Sequence, residues 1–408
     1  LKDYYKKIKS EIDSYINSIT NFPELSYESY DSKNKKDIEE LKWSSVDTKI
    51  NEKQVNIINS YFDNAIKNND KNILIGEDIA DPYGGAFKVT KGLSEKYPDN
   101  VISTPISEAA IVGLGIGLSL IGYNPFVEIM FGDFISYSFD QILSNASKFY
   151  HMYNKQIKVP LVIRTPMGGG RGYGPTHSQS IEKLFNGINN IQIIHLNTLI
   201  SAKDIYESVE KHEHTSIIIE NKLDYGRLKN NLPESINYNF FKSNNDYPII
   251  IGSPIDEENT SIGIVTFGGA VHKVIRAIEE IFFEYELLPK IVVLTKLYPL
   301  QKEMLYEVLN DLKYIITVEE SNVEGGFGSE IISTLVEKAE FRNKTFCRIG
   351  SKNIPAADLT LLSLTEVLGG IFWVWLPIFG INEVPTANTI IGGSILTFAI
   401  LFYSLNTK

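Results

Sequence analysis

The sequence predicts an α/β protein: two parallel-sheet α/β domains in succession, followed by a two-helix apolar, membrane-like tail. Three observations carry this. From residue 72 onwards, near-continuous apolar runs of strand length alternate with helical segments, the pattern of parallel strands covered on both faces. A polar, asparagine-rich stretch, 224–259, interrupts the alternation, which then resumes. Near the C-terminus, 367–381 and 389–405 are apolar runs without a charge.

Taken in order, residues 1–20 place Tyr5, Ile8, Ile12, Ile16 and Ile19 at helical spacing among charged residues, an exposed amphipathic helix that Asn21-Phe22-Pro23 ends. A lysine-rich linker, 31–40, completes an extension over 1–48. The chain starts at Leu1, as expected of a fragment, and its charged beginning contains no legible signal peptide. A helix over 49–68 carries Val55, Ile58, Tyr61, Phe62 and Ile66 on one side. Strands at 72–75, 159–164, 191–195 and 216–220, with helical segments at 134–152 and 201–211, define a first domain, 49–230. Residues 231–260 form the expected linker. Strands at 262–266, 291–294 and 315–318, with helices at 271–286, 303–312 and 329–339, define a second domain, 261–357. Gly325-Gly326-Phe327-Gly328 opens the last of these helices, an arrangement able to receive an anion.

The tail, 358–408, reads as a transmembrane hairpin. Each apolar run stands at the short end of the roughly 17–25 residues a span needs. Gly369-Gly370, Gly392-Gly393, Trp373, Trp375 and Tyr403 suit packed membrane helices with aromatic residues at the interface. The tail resembles the last two helices of drug/metabolite-type transporters, which puts a fusion or assembly junction near Ala357.

Chemistry concentrates in 72–179. Ser107 precedes a helix over 108–120, and Glu108 occupies its first turn. The bland account is a Ser cap and an acid serving the helix dipole. Two features add to it. Ala109, Gly113 and Gly117 recur every fourth residue, so one face carries almost no side chain and admits a close neighbour. The helix is apolar nearly all round, which places Glu108 in dry surroundings where a carboxyl keeps its proton and exchanges it with a ligand nitrogen. His177, one of six histidines, follows a run containing Gly168, Gly169, Gly170, Gly172 and Gly174. A lone loop histidine is usually structural; a glycine-rich loop and a helix start beside it favour chemistry.

Four motifs stand in order here: Gly76-Glu77-Asp78, Thr104-Pro105-Ile106-Ser107-Glu108, Glu128-Ile129-Met130-Phe131-Gly132-Asp133-Phe134, and Gly174-Pro175-Thr176-His177-Ser178-Gln179. From about 51 to 355 the chain resembles the β subunit of the decarboxylating component of 2-oxoacid dehydrogenase complexes (pyruvate, branched-chain and acetoin types), within the transketolase-like group. The resemblance implies thiamine diphosphate as cofactor. It implies that Glu108 bonds the aminopyrimidine and drives its imino form, that Phe134 and Met130 pack against that ring, and that His177 assists acyl transfer to a lipoyl group. Ordinary core packing is the alternative for Phe134 and Met130. Some relatives hold potassium near the segment matching 209–215; His212 and His214 are poor ligands for it, so no metal site is expected. The N-terminal helix with Phe22-Pro23-Glu24-Leu25 is similar to the tail of the α subunit.

The diphosphate half of such a site needs Gly-Asp-Gly, and none occurs; Gly132-Asp133-Phe134 comes nearest. An α partner is therefore expected to bring the diphosphate and Mg²⁺ site. A 2-oxoacid substrate and a lipoyl-bearing acyltransferase complete the expected set. The net charge of −11, with no basic stripe, argues against nucleic acid. The single cysteine, Cys347, excludes an intrachain disulfide and fits a reducing cytoplasm, with membrane association through 367–405. Two further readings stand beside the dehydrogenase: transketolase-like ketol transfer, and a catalytically silent chimera tethered by its tail.

Overall fold

The computed structural model describes residues 43–46, 52–228, 238–254 and 260–351. Two seven-stranded sheets organise them. The first is built from β2 (Asn72–Glu77), β3 (Val101–Thr104), β4 (Asn124–Glu128), β5 (Val162–Met167), β6 (Ile191–His195), β7 (Thr215–Asn221) and β12 (Lys296–Tyr298), in the order β12-β6-β7-β5-β4-β2-β3. All its pairings are parallel except β12 on β6. Every residue of β5, β6 and β7 is buried, as continuous Ile/Val runs require when both faces are covered.

The second sheet runs β1-β8-β9-β11-β10-β13-β14, from β1 (Trp43–Ser45), β8 (Tyr238–Ser243), β9 (Ile250–Pro254), β10 (Ile262–Phe267), β11 (Lys290–Leu294), β13 (Tyr314–Asn322) and β14 (Thr345–Ser351). Its centre is parallel, whereas β9, β8 and β1 join antiparallel. β8 and β9 fall inside 231–260, so that stretch contributes sheet as well as connection. β9 buries alternate residues and β8 buries only Phe240 and Ser243, so neither writes a continuous apolar run.

Helix α1 (Gln54–Asn68) buries Ile57, Ile58, Tyr61, Phe62 and Ile66, with Tyr61 stacked on Tyr206 at 4.9 Å. The short α2 (Leu93–Lys96) follows, then α3 (Glu108–Leu120), whose bounds match the expected ones. Three expectations for α3 are corrected. Ser107 makes no side-chain cap bond; its carbonyl accepts from the Ile111 amide. Only one side is buried, through Ile111, Val112, Gly115, Ile116 and Ser119, whereas Leu114 and Leu120 are exposed. The close approach is at Gly115, where a Cβ would stand 2.7 Å from Val127 and 2.8 Å from Leu161; Gly117 faces open space.

The helix expected over 134–152 breaks into a 3₁₀ turn (Gly132–Ser138), a π turn (Gln141–Ala146) and α4 (Phe149–Met152). Ser136, Ser138 and Ser147 donate to the Asp133, Ile135 and Leu143 carbonyls, which competes with regular helix bonding. The remaining helices are α5 (Ala202–Glu210), α6 (Ala270–Tyr285), α7 (Lys302–Leu309) and α8 (Phe327–Glu337). At the α8 start, Glu319 accepts from the Phe327 and Gly328 amides at 2.6 and 2.9 Å. The chain's own carboxylate thus occupies the anion position, and Gly326 and Gly328 leave it room.

Among the described residues no helix is long and apolar enough to cross a membrane. The expected hairpin at 367–405 and the helix at 1–20 lie outside them.

Candidate active site

Ligands of parallel α/β sheets bind beyond the carboxyl ends of the strands. In the first sheet those ends deliver Glu77 (β2), Glu108 (after β3), Met130 and Phe134 (after β4), the glycine loop with His177 (after β5) and Lys222 (after β7). Glu108 and His177 therefore stand on the same edge, separated by the ends of β2 and β4.

Glu108 is half-buried, and its carboxyl makes no hydrogen bond or ion pair among the described residues. Glu77, from the first motif but given no role there, lies near it. Burial pushes the Glu77 carboxyl above its usual range, and the charges of Glu108 and Asp78 push it further. The surroundings are thus acidic and partly dry, less dry than the all-apolar helix suggested. A carboxyl without a partner among the described residues, at the carboxyl edge of the sheet with an aromatic and a thioether side chain two strands away, can exchange a proton with a nitrogen base.

His177 and Phe134 come together: their ring centroids are 5.1 Å apart at 72°, and Phe131 lies 4.7 Å from the imidazole at 85°. His177 Nδ1 is 2.8 Å from the Thr176 hydroxyl. Met130 is half-buried, packed with the core that contains Phe131. Asp133 of the near Gly-Asp-Gly match accepts from Gln179 Nε2 at 2.8 Å, so it fastens the His177 loop. His195, by contrast, is a core residue: burial lowers its pKa to about 4, and Gly268 packs directly on its ring. A cleft of about 660 Å³ bordered by Lys53, Lys91, Phe87, Arg171 and Tyr225 excludes all four expected site residues.

Beneath the site lies a charged core that sequence reading missed. Arg164, 2% exposed, pairs with Glu128 and Glu220; Tyr206 and Tyr225 also donate to Glu220. The available signal was a charge closing each of three apolar strands.

Glu182 follows the His177 loop; its Oε2 is buried without a partner among the described residues. Burial, then Glu319 and Glu320, raise its pKa to about 7. Because the folded value exceeds the unfolded one, this group's contribution is complete below about pH 4.5 and is lost as pH rises through 7. Glu182→Gln is expected to stabilise the chain by about 1–3 kcal/mol at pH 8 and by nearly nothing at pH 5. Urea unfolding at both values checks this; equal effects would oppose it.

The comparisons agree with this architecture. Residues 54–227 match the family described as "Transketolase, pyrimidine binding domain", and 252–366 match "Transketolase, C-terminal domain". The second match runs past Ala357. The chain is 30% identical over 305 residues to the 2-oxoisovalerate dehydrogenase subunit beta of Bacillus subtilis, covering 74% of this chain and 90% of that one. Identity is also 30%, over 308 residues, with the pyruvate dehydrogenase E1 component subunit beta of Staurastrum punctulatum, covering 73% and 90%. With the acetoin:2,6-dichlorophenolindophenol oxidoreductase subunit beta of Cupriavidus necator it is 30% over 292 residues, covering 69% and 83%. A solved structure titled "Split gene transketolase, inactive beta4 tetramer" superposes with TM-score 0.54 at 18% identity, over 76% of this chain and 91% of that one, a likeness of fold. The two matched domains define a transketolase-like thiamine-enzyme chain. Within that class, it belongs to the family of β subunits of thiamine-diphosphate-dependent 2-oxoacid dehydrogenases.

Proposed function

We propose that this chain is the pyrimidine-binding half of a 2-oxoacid dehydrogenase active site, completed by an α subunit that holds the diphosphate and Mg²⁺. The unpaired carboxyl of Glu108 at the sheet edge carries the reading. When bound, thiamine diphosphate supplies the nucleophilic carbon and the electron sink that decarboxylation requires. Glu108 holds and returns a proton at the aminopyrimidine nitrogen. Phe134 and Met130 exclude water from that ring and fix its plane. An oxidised lipoyl group on an acyltransferase partner would be the two-electron acceptor: its dithiolane S–S bond breaks, one sulfur takes the acyl group, and His177, backed by Phe131 and Phe134, would deliver a proton to the other sulfur as it is released. We place the enzyme in the cytoplasm, a reading that rests on the lone, exposed Cys347.

Decarboxylation of 2-oxoacids with an artificial electron acceptor tests the reading, using the chain with and without its α partner. Activity in the mixture alone supports it; no activity in either excludes it. In the active mixture, His177→Ala is expected to slow acyl transfer to lipoyl by about 10²-fold and decarboxylation far less. Equal losses in the two steps would contradict the role of His177.

A further inference from the structure

The loop that carries His177 is poorly suited to hold a catalytic group still. Gly168, Gly170, Gly172 and Gly174 all have positive φ, at 94°, 83°, 80° and 74°. Glycine in such conformations retains little intrinsic preference for the native shape, so fixing it is entropically costly. Within the loop, the His177 amide reaches the Gly174 carbonyl only at 3.4 Å.

Lys222 spans this loop from below. Its backbone amide donates to the Met167 carbonyl at 3.1 Å, where the loop leaves β5. Its ammonium donates to the His177 carbonyl, near the loop's far end. Lys222 is 1% exposed, and its Nζ lies 5.3 Å from the Phe131 ring centroid, on the ring that also packs against His177. Arg171, midway along the loop, donates to the Lys222 carbonyl at 3.3 Å. A buried ammonium is costly unless it is bonded, and surface attachment would not require one. Burial lowers its pKa to about 8, while Asp133 and Glu320 oppose that shift and Arg171 adds to it. At neutral pH it therefore remains the charged donor.

We infer that Lys222 is a positioning residue that staples the start and end of the glycine loop and so sets the His177 imidazole against Phe131 and Phe134. The consequence for catalysis rests on the function proposed above; the consequence for the loop does not.

The test is amide hydrogen exchange of the full chain, read at His177 and Gln179, in Lys222→Met and Lys222→Arg. Loss of a charge-assisted bond is expected to speed exchange there by about tenfold or more in the Met variant. Exchange in β5 and β7 should not change, and Arg should restore most of the protection. With the α partner added, Lys222→Met is expected to lose acyl transfer more than decarboxylation. Unchanged exchange at His177 and Gln179 in Lys222→Met overturns the staple, whatever the activities. Should the Met variant not fold, Lys222→Gln takes its place. Its amide is too short to reach the carbonyl, so it must also deprotect the loop, and a protected loop there likewise overturns the inference. If exchange responds as expected but no variant or parent is active, the staple stands and the functional reading fails.

Discussion

Glu108→Gln is expected to reduce 2-oxoacid decarboxylation to less than about one hundredth of the parent rate, because glutamine keeps the size of the side chain and cannot exchange a proton. The fold should survive. The carboxyl makes no hydrogen bond among the described residues, so glutamine strands no partner. Losing an acid from the first turn of a helix costs a few tenths of a kcal/mol. Turnover in the parent and variant, measured with the α partner present and alongside their urea unfolding curves, checks both halves. Near-normal turnover would remove Glu108 from the chemistry. A large stability loss with lost activity would return it to a helix-capping role.

Arg164→Met should show the largest effect on stability, about 3–5 kcal/mol. The guanidinium is the shared cation for two buried carboxylates, Glu128 on β4 and Glu220 on β7, with β5 between them. Removing it leaves two acids facing one another in the core, and the tyrosine hydroxyls already serve Glu220 alone. Misfolding, or a urea midpoint far below that of the parent, is the expected result. A variant within about 1 kcal/mol of the parent would mean that the cluster is solvated or protonated. The cluster matters to the site because β4, β5 and β7 deliver Met130, the His177 loop and Lys222 at their carboxyl ends.

The parallel sheet was legible because burial on both faces writes long apolar runs, and α3 was legible to the residue. Its environment was not. Hydropathy cannot tell a helix covered by its own chain from one that leaves Leu114 and Leu120 exposed. Likewise, the spacing of Ala109, Gly113 and Gly117 pointed to one face, while the constraint sits at Gly115 on the other. The 3₁₀ and π turns around Phe134 arise from serine hydroxyls bonding locally, a competition that periodicity does not register. Within the site, His177 was legible from its glycine-rich loop and Phe134 only through a family resemblance, and the geometry brings them together. Arg164 and Lys222 were passed over, since each is a polar residue closing an apolar run and reads there as a boundary; Glu77 stood in a motif but was given no role. The glycine start of α8 looked open to an anion because nothing local in the sequence ties Glu319 to it.

The central claim is that this chain holds one half of a divided cofactor site. Titration of thiamine diphosphate with Mg²⁺ into the chain alone, into the α partner alone and into the mixture tests it most directly. Tight binding in the mixture only, weakened by Glu108→Gln, is the predicted result. Tight, Mg²⁺-dependent binding to this chain alone would contradict the division, and binding to the mixture that ignores Glu108 would contradict the site.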